Sequence, residues 1–194
     1  FAARDLAGHA LGIEATAWLD RWVVDPAAWL AEWCEGTTTL PARLLKGCRE
    51  AASGVATRSP QPLTIALDPS ALAALGTALR ADPAFALRPT WRERALETGP
   101  WTRSNEPDPS RYASAWLRLG ARLAEVVRLT LPDMPGRSGA GWLRHGSLAL
   151  GPAEGLGWCE MARGLLVHRV TVDDPGAADP RIEACDVIAP TEWN

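Results

Sequence analysis

Apolar residues recur at three- and four-residue intervals through the first two thirds of the chain and at two-residue intervals only near its end. The first spacing belongs to helices with one buried stripe, the second to strands. It predicts one helix over Ala3 to Trp22, then helices over Pro26 to Cys34 and Pro41 to about Ala52, the last entered at Thr39 or Leu40. Asp-Pro pairs at Asp25-Pro26, Asp68-Pro69 and Asp108-Pro109 mark helix starts, because the carboxylate caps orphan N–H groups and proline suits the first turn. The clearest helix runs from Pro109 to Thr130, with Ala113, Trp116, Leu117, Gly120, Leu123, Ala124 and Val127 as its apolar stripe. Arg111, Arg118, Arg122 and Arg128 lie mainly off that stripe and read as a solvated face. Gly54 to Pro62 reads as a loop, Leu63 to Leu67 as a short strand, and Pro132 to Gly141 as a loop crowded with Gly and Pro.

At Gly164 the period changes to two. LLVHRVTV and RIEACDVIAP flank the turn-rich Asp173 to Pro180, which predicts a hairpin over Gly164 to Ala189 with a mobile tip. Leu166, His168, Val170 and Val172 share one face, and the two bases of the hairpin, near Arg163 and near Pro190, must be neighbours in space. The fold class is therefore α+β, mainly helical, with a C-terminal β-hairpin. A single domain over 1–194 is expected, helical over 1–131 and loop and hairpin over 132–194.

Composition narrows the functional classes. The chain has 194 residues, 47% hydrophobic and 22% charged, enough to bury a core without metal or disulfide staples. No run approaches the roughly 18 apolar residues of a spanning helix, and FAARDLAGHALG lacks the basic start of a secretory signal. A net charge of −3 offers no excess for a phosphate backbone. Neither nucleic acid nor membrane is expected as a partner, and a cytoplasmic location is. Among the ten tryptophans, Trp18/Trp22 and Trp29/Trp33 are i,i+4 pairs, read as core packing between adjacent helices rather than as a cofactor box. Cys34, Cys48, Cys159 and Cys185 show no CxxC spacing and no close histidine, so reduced, mostly buried thiols and no metal site are expected.

With the hairpin bases adjacent, Glu160-Met161-Ala162-Arg163-Gly164 and Pro190-Thr191-Glu192-Trp193-Asn194 read as one place. ExxRGxLxH followed by a PTxWN end resembles the C-terminal region of nickel-iron hydrogenase large subunits, where these stretches read EAPRG and PTTWN. Upstream, Glu97-Thr98-Gly99-Pro100-Trp101-Thr102-Arg103 is similar to that family's EVGPLAR. The resemblance runs from near Trp91 to Asn194 and implies a large-subunit-like fold. In those subunits the motifs line the pocket of an iron carrying two cyanides and a carbonyl. Iron-bound cyanide is an anionic acceptor, served by a guanidinium fork, a hydroxyl and N–H groups. By motif position, Arg163 would supply the fork and Thr191 the hydroxyl. Pro190 would set the backbone leading to Thr191, Glu160 would orient Arg163, and Trp193 would exclude water behind it. Cys159 and Cys185 are the thiols to examine for a transient iron contact. In an unrelated sequence, Arg163 as a surface charge paired with Glu160, and Trp193 as a core lid, would account for the same residues without a ligand.

The departures point to a particular branch. EMARG and PTEWN replace EAPRG and PTTWN, and the two cysteine-pair motifs that hold nickel and iron in the catalytic subunit are absent from this chain. ALETGPWTR, ARGLLVHRV and APTEWN are similar to forms found in accessory proteins of the HupK/HoxV type. That resemblance implies a non-catalytic scaffold or chaperone in hydrogenase maturation, with no tightly bound cofactor but transient contact with Fe(CN)2(CO), and with maturation proteins and the hydrogenase large subunit as partners. Two alternatives stay open. One is a fragment of a divergent catalytic large subunit, since the sequence begins at Phe1 without a methionine; the other is a metal-free mimic of the large subunit that binds assembly partners.

Overall fold

A computed structural model describes residues 2–56, 61–65, 68–104, 106–131 and 142–193. It is α+β. Among the described residues there are six α-helices and one four-stranded antiparallel sheet, divided between two compact units: Phe1–Pro60 with Ser104–Trp142, and Gln61–Arg103 with Leu143–Asn194. The loop expected over Pro132 to Gly141 lies outside the described residues.

The first unit is helical. The single helix expected over Ala3 to Trp22 is two, α1 (Ala2–Leu11) and α2 (Ala15–Val24). Apolar spacing carries on through the break, but Gly12 adopts φ +67 and stops α1, while the Glu14 carboxylate accepts the Thr16 and Ala17 N–H groups to start α2. Then come α3 (Pro26–Gly36), α4 (Leu40–Gly54) and α6 (Ala115–Thr130), with α6 packed on α2, α3 and α4. Asp25 caps α3 as expected, accepting from Ala27 and Ala28 at 3.1 and 3.0 Å. The helix expected from Pro109 is interrupted. Asp108 starts a 3₁₀ turn, Pro109–Tyr112, and Ser114 then caps α6 afresh by accepting the Leu117 N–H.

Both tryptophan pairs are core. Trp18 stacks on Trp22 at 5.6 Å and meets Trp33 edge-on at 5.5 Å, and all four indoles are buried. Such contacts add about 0.5–1.5 kcal/mol each beyond the buried area. A Cβ at Gly120 would lie 2.7 Å from Leu30 and from Trp22, so only glycine lets α6 sit this close. The arginines of this region are not a solvated face. Arg118 donates to the Tyr112 carbonyl at 2.8 Å, Arg111 pairs with Glu106 at 3.0 Å, and Arg128 lies 4.1 Å above the Trp142 ring. Only Arg122 of the four is exposed.

The second unit sets α5 (Pro69–Ala81), capped by Asp68, against a sheet in the order β1 (His145–Gly151), β2 (Glu154–Met161), β3 (Gly164–Val172), β4 (Ile182–Ile188). The expected hairpin is β3–β4. The preceding pair, β1 and β2, extends it to a meander that periodicity alone does not reveal. Leu72, Leu75 and Leu79 of α5 share a core with Leu156, Leu165, Val167 and Ile188 of the sheet. Leu166, His168, Val170 and Val172 alternate with this inward set on the opposite face. Leu63 to Leu67 forms no strand among its described residues; Pro62 and Glu97 instead make one parallel bridge, in which the Leu63 N–H donates to the Glu97 carbonyl and the Glu97 N–H to the Gln61 carbonyl, each at 2.7 Å.

A row of alternating charge crosses the inward face at its edge. Arg169, buried on β3, pairs with Glu154 of β2 and with Asp186 of β4 at 2.6 Å, and Arg80 of α5 also grips Glu154. Burial raises the Glu154 pKa, but the bonds and charges of Arg80 and Arg169 outweigh it and hold the carboxyl below its usual range.

Candidate functional site

Within the second unit, three sequence-distant segments meet at the end of the sheet where β2 turns into β3. The turn is two residues long. Met161 pairs with Gly164, leaving Ala162 and Arg163 at the tip, both exposed. Gly164 is required twice over. Its φ is +134, and a Cβ there would lie 3.0 Å from the backbone carbonyl group of Thr98.

The segment Glu97 to Arg103 lies directly behind the turn. Thr98, Trp101, Thr102 and Arg103 are all buried, an unusual density of polar groups. Each of the three polar ones bonds a backbone group. Thr98 Oγ1 accepts the Leu165 N–H at 3.0 Å, on the β3 side of the turn. Arg103 donates from Nη2 to the Met161 carbonyl at 3.0 Å, on the β2 side. Thr102 Oγ1 donates to the Gly99 carbonyl at 2.9 Å and accepts its N–H at 3.2 Å, which fixes the bend between the other two.

The third segment follows β4. Val167 pairs with Ile188 in the last rung of the ladder between β3 and β4. There Pro190–Glu192 forms a 3₁₀ turn lying against β3. Pro190 is half-buried, Thr191 and Glu192 are exposed, and Trp193 is buried in the same core as Leu96, Leu165 and Ile188. Its Nε1 has no hydrogen-bond partner among the described residues.

The structure thus brings the Arg163 and Thr191 segments to one end of the sheet. It does not enclose them: both side chains are exposed. Glu160 is half-buried on β2. Its carboxylate accepts the Arg144 N–H at 3.0 Å while its own N–H donates to the Arg144 carbonyl at 2.7 Å, so it secures the start of β1. Trp193 lies behind the site as a packed core residue. The residues missed from sequence are Thr98 and Arg103, whose signal was there: polar side chains in a segment otherwise built like core.

The cysteines stand apart from this place. All four are free; Cys34 is buried and burial raises its thiol pKa, Cys48 and Cys159 are half-buried, and Cys185 is exposed, so burial is less general than expected. Cys159 pairs with Leu166 and Cys185 with Val170, on one face of the sheet. Four residues along the strand and two strands across separate them by roughly 16 Å, too far to hold one ion. No cluster of three or more metal-ligating side chains occurs among the described residues, and none of their helices is long and apolar enough to cross a membrane.

Sequence relatives carry one designation. The chain is 42% identical over 189 residues to hydrogenase expression/formation protein HoxV of Cupriavidus necator, covering 95% of the chain and 49% of HoxV. It is 35% identical over 141 residues to hydrogenase expression/formation protein HupK of Rhizobium leguminosarum, 71% of the chain and 36% of that protein. HupK of Bradyrhizobium diazoefficiens matches at 37% over 110 residues, 50% of the chain and 26% of its own length. The chain therefore spans about half the length of HoxV and less of the HupK proteins. No family model and no solved structure matches it.

Proposed function

We propose, from the premise that this chain is an accessory protein of the HupK/HoxV type, that it serves nickel-iron hydrogenase maturation as a scaffold receiving the Fe(CN)2(CO) group before transfer to the large subunit. The convergence of Glu97–Arg103, the Arg163 turn and the Pro190–Glu192 turn at one end of a sheet carries this reading. These are the three stretches that resemble the iron-lining motifs of the large subunit, and here they fall together. Arg163 offers a planar fork and Thr191 a hydroxyl, donors suited to iron-bound cyanide. Their exposure suits a group that must be handed on: donors open to solvent hold an anion less tightly than donors in a dry pocket. The designation of the relatives favours an accessory role over a fragment of a catalytic subunit.

Infrared spectroscopy of the protein isolated anaerobically from a hydrogenase-producing host tests this. Cyanide and carbonyl stretching bands should accompany the purified protein. Arg163→Lys keeps the charge but loses the fork, and Thr191→Val loses the hydroxyl. Losing one charge-assisted bond, about 1.5–3 kcal/mol, should reduce band intensity and host hydrogenase maturation about tenfold or more, while far-UV circular dichroism stays unchanged. If both variants mature hydrogenase normally and the bands persist, the carrier role is wrong.

The same exposure supports a second reading, a metal-free mimic whose Arg163 and Thr191 surface engages assembly partners. It is distinguished by the absence of bands together with loss of maturation in Arg163→Lys.

A further inference from the structure

The geometry points to Thr98 and Arg103 as positioning residues that fix the presentation of Arg163. This rests on the reading that the Arg163 turn carries the function. A two-residue turn at the end of a sheet has one hydrogen-bonded pair beneath it, here Met161 and Gly164, and terminal pairs of antiparallel sheets open readily. The side chain it displays would then sweep a broad arc. In this protein both stems are held by side chains from another segment. Arg103 fastens the Met161 carbonyl and Thr98 the Leu165 N–H, each at 3.0 Å, one residue before the tip and two after it.

Several observations separate a clamp from ordinary packing. Both side chains are about 6% exposed; the Thr98 bond is buried and shielded from bulk water, while the Arg103 bond is part-buried because Met161 itself is exposed. Gly164 lets Thr98 approach closely enough for its hydroxyl to reach the next N–H. Pro100 and the Thr102–Gly99 bonds hold the 3₁₀ turn Pro100–Ser104, setting the spacing between the two fastening points. A fork aimed at an anion needs its backbone fixed to within fractions of an ångström, and this clamp supplies that from behind while leaving the tip open.

The test uses the whole chain in a hydrogenase-producing host and, in parallel, amide hydrogen exchange on the purified protein. The variants are Arg103→Met, Arg103→Lys and Thr98→Val, with Arg163→Lys as control. Arg103→Met and Thr98→Val should speed exchange at Ala162, Arg163 and Gly164 about fivefold or more and reduce maturation comparably, with α5 exchange unchanged. Arg103→Lys, retaining a donor, should restore most of both. Arg163→Lys should lower maturation without speeding exchange at the turn. Unchanged turn exchange in both Arg103→Met and Thr98→Val overturns the clamp. Faster exchange with normal maturation, while Arg163→Lys is impaired, overturns its positioning role and leaves the reading of Arg163 intact. Normal maturation in Arg163→Lys removes that reading instead, and turn exchange then decides the clamp by itself. Should Arg103→Met fail to fold, Thr98→Val and Arg103→Lys carry the same comparison.

Discussion

At the scale of single residues, two backbone positions concentrate the demands of this fold. Gly164 combines a positive φ with a close backbone approach, so Gly164→Ala should destabilise the second unit by about 2–4 kcal/mol, measured as a lowered urea midpoint. The opposite applies at Arg92 and Glu93, which form a tight turn between Trp91 and Arg94 with φ of +51 and +63. Neither residue is suited to the left-handed region, whereas Asn-Gly is the usual pair for such a turn. The double substitution Arg92→Asn, Glu93→Gly should raise stability by about 1 kcal/mol, read from the same denaturation curve. The turn at Arg92 and Glu93 does not announce itself in sequence. Gly164 could be read from the motif but not its reason, because the demand comes from Thr98, 66 positions earlier.

At the scale of elements, capping and alternation were legible where one segment contains its own signal. Asp25 and Asp68 cap helices as their Asp-Pro dipeptides predict, and β3 alternates cleanly around an Asp-, Gly- and Pro-rich tip. The strands β1 and β2 were not, because glycine interrupts their pattern: Gly155 and Gly157 lie on the outward face, and Gly146 makes room for the Trp158 ring, 2.5 Å from where a Cβ would be. The charge row across the sheet was equally hidden, since Arg80, Glu154, Arg169 and Asp186 meet only through pairing. It has a pH signature. Glu154 has a folded pKa below its unfolded value, so its contribution is complete above the ordinary carboxylate range and is lost as pH falls through the depressed value. Glu154→Gln should cost about 1–3 kcal/mol at neutral pH, because Arg169 stays buried with one partner fewer, and should flatten the acid limb of a stability–pH curve measured by thermal unfolding.

At the scale of the whole molecule, two kinds of core coexist: indoles between helices in one unit, aliphatic side chains beneath a sheet in the other. The helical unit depends on close approach, so Gly120→Val, which sets a branched side chain against Leu30 and Trp22, should destabilise it by about 3 kcal/mol; the loss of helical ellipticity in urea measures this. How much of the candidate site could be read follows the same division. The hairpin was enough to bring the Arg163 and Pro190 segments together, while the contribution of Glu97–Arg103 depends on a tertiary contact that only its buried Thr and Arg hint at.

The two ends of β3 differ in what changes of chain length they can absorb. At its far end, residues 173–181 form a long exposed tip, and the register with β4 already shifts between Thr171 and Val172, so residues gained or lost there can be taken up outside the ladder. At its near end no such slack exists. One residue added between Met161 and Gly164 would either slip β3 by one place, turning His168 into the core, Arg169 out of it and the Leu165 N–H away from Thr98, or lengthen the turn and lose the two-residue geometry that displays Arg163. Natural variants of this chain should therefore differ freely in the length of the tip, while the four-residue span from Met161 to Gly164 keeps both its length and its closing glycine.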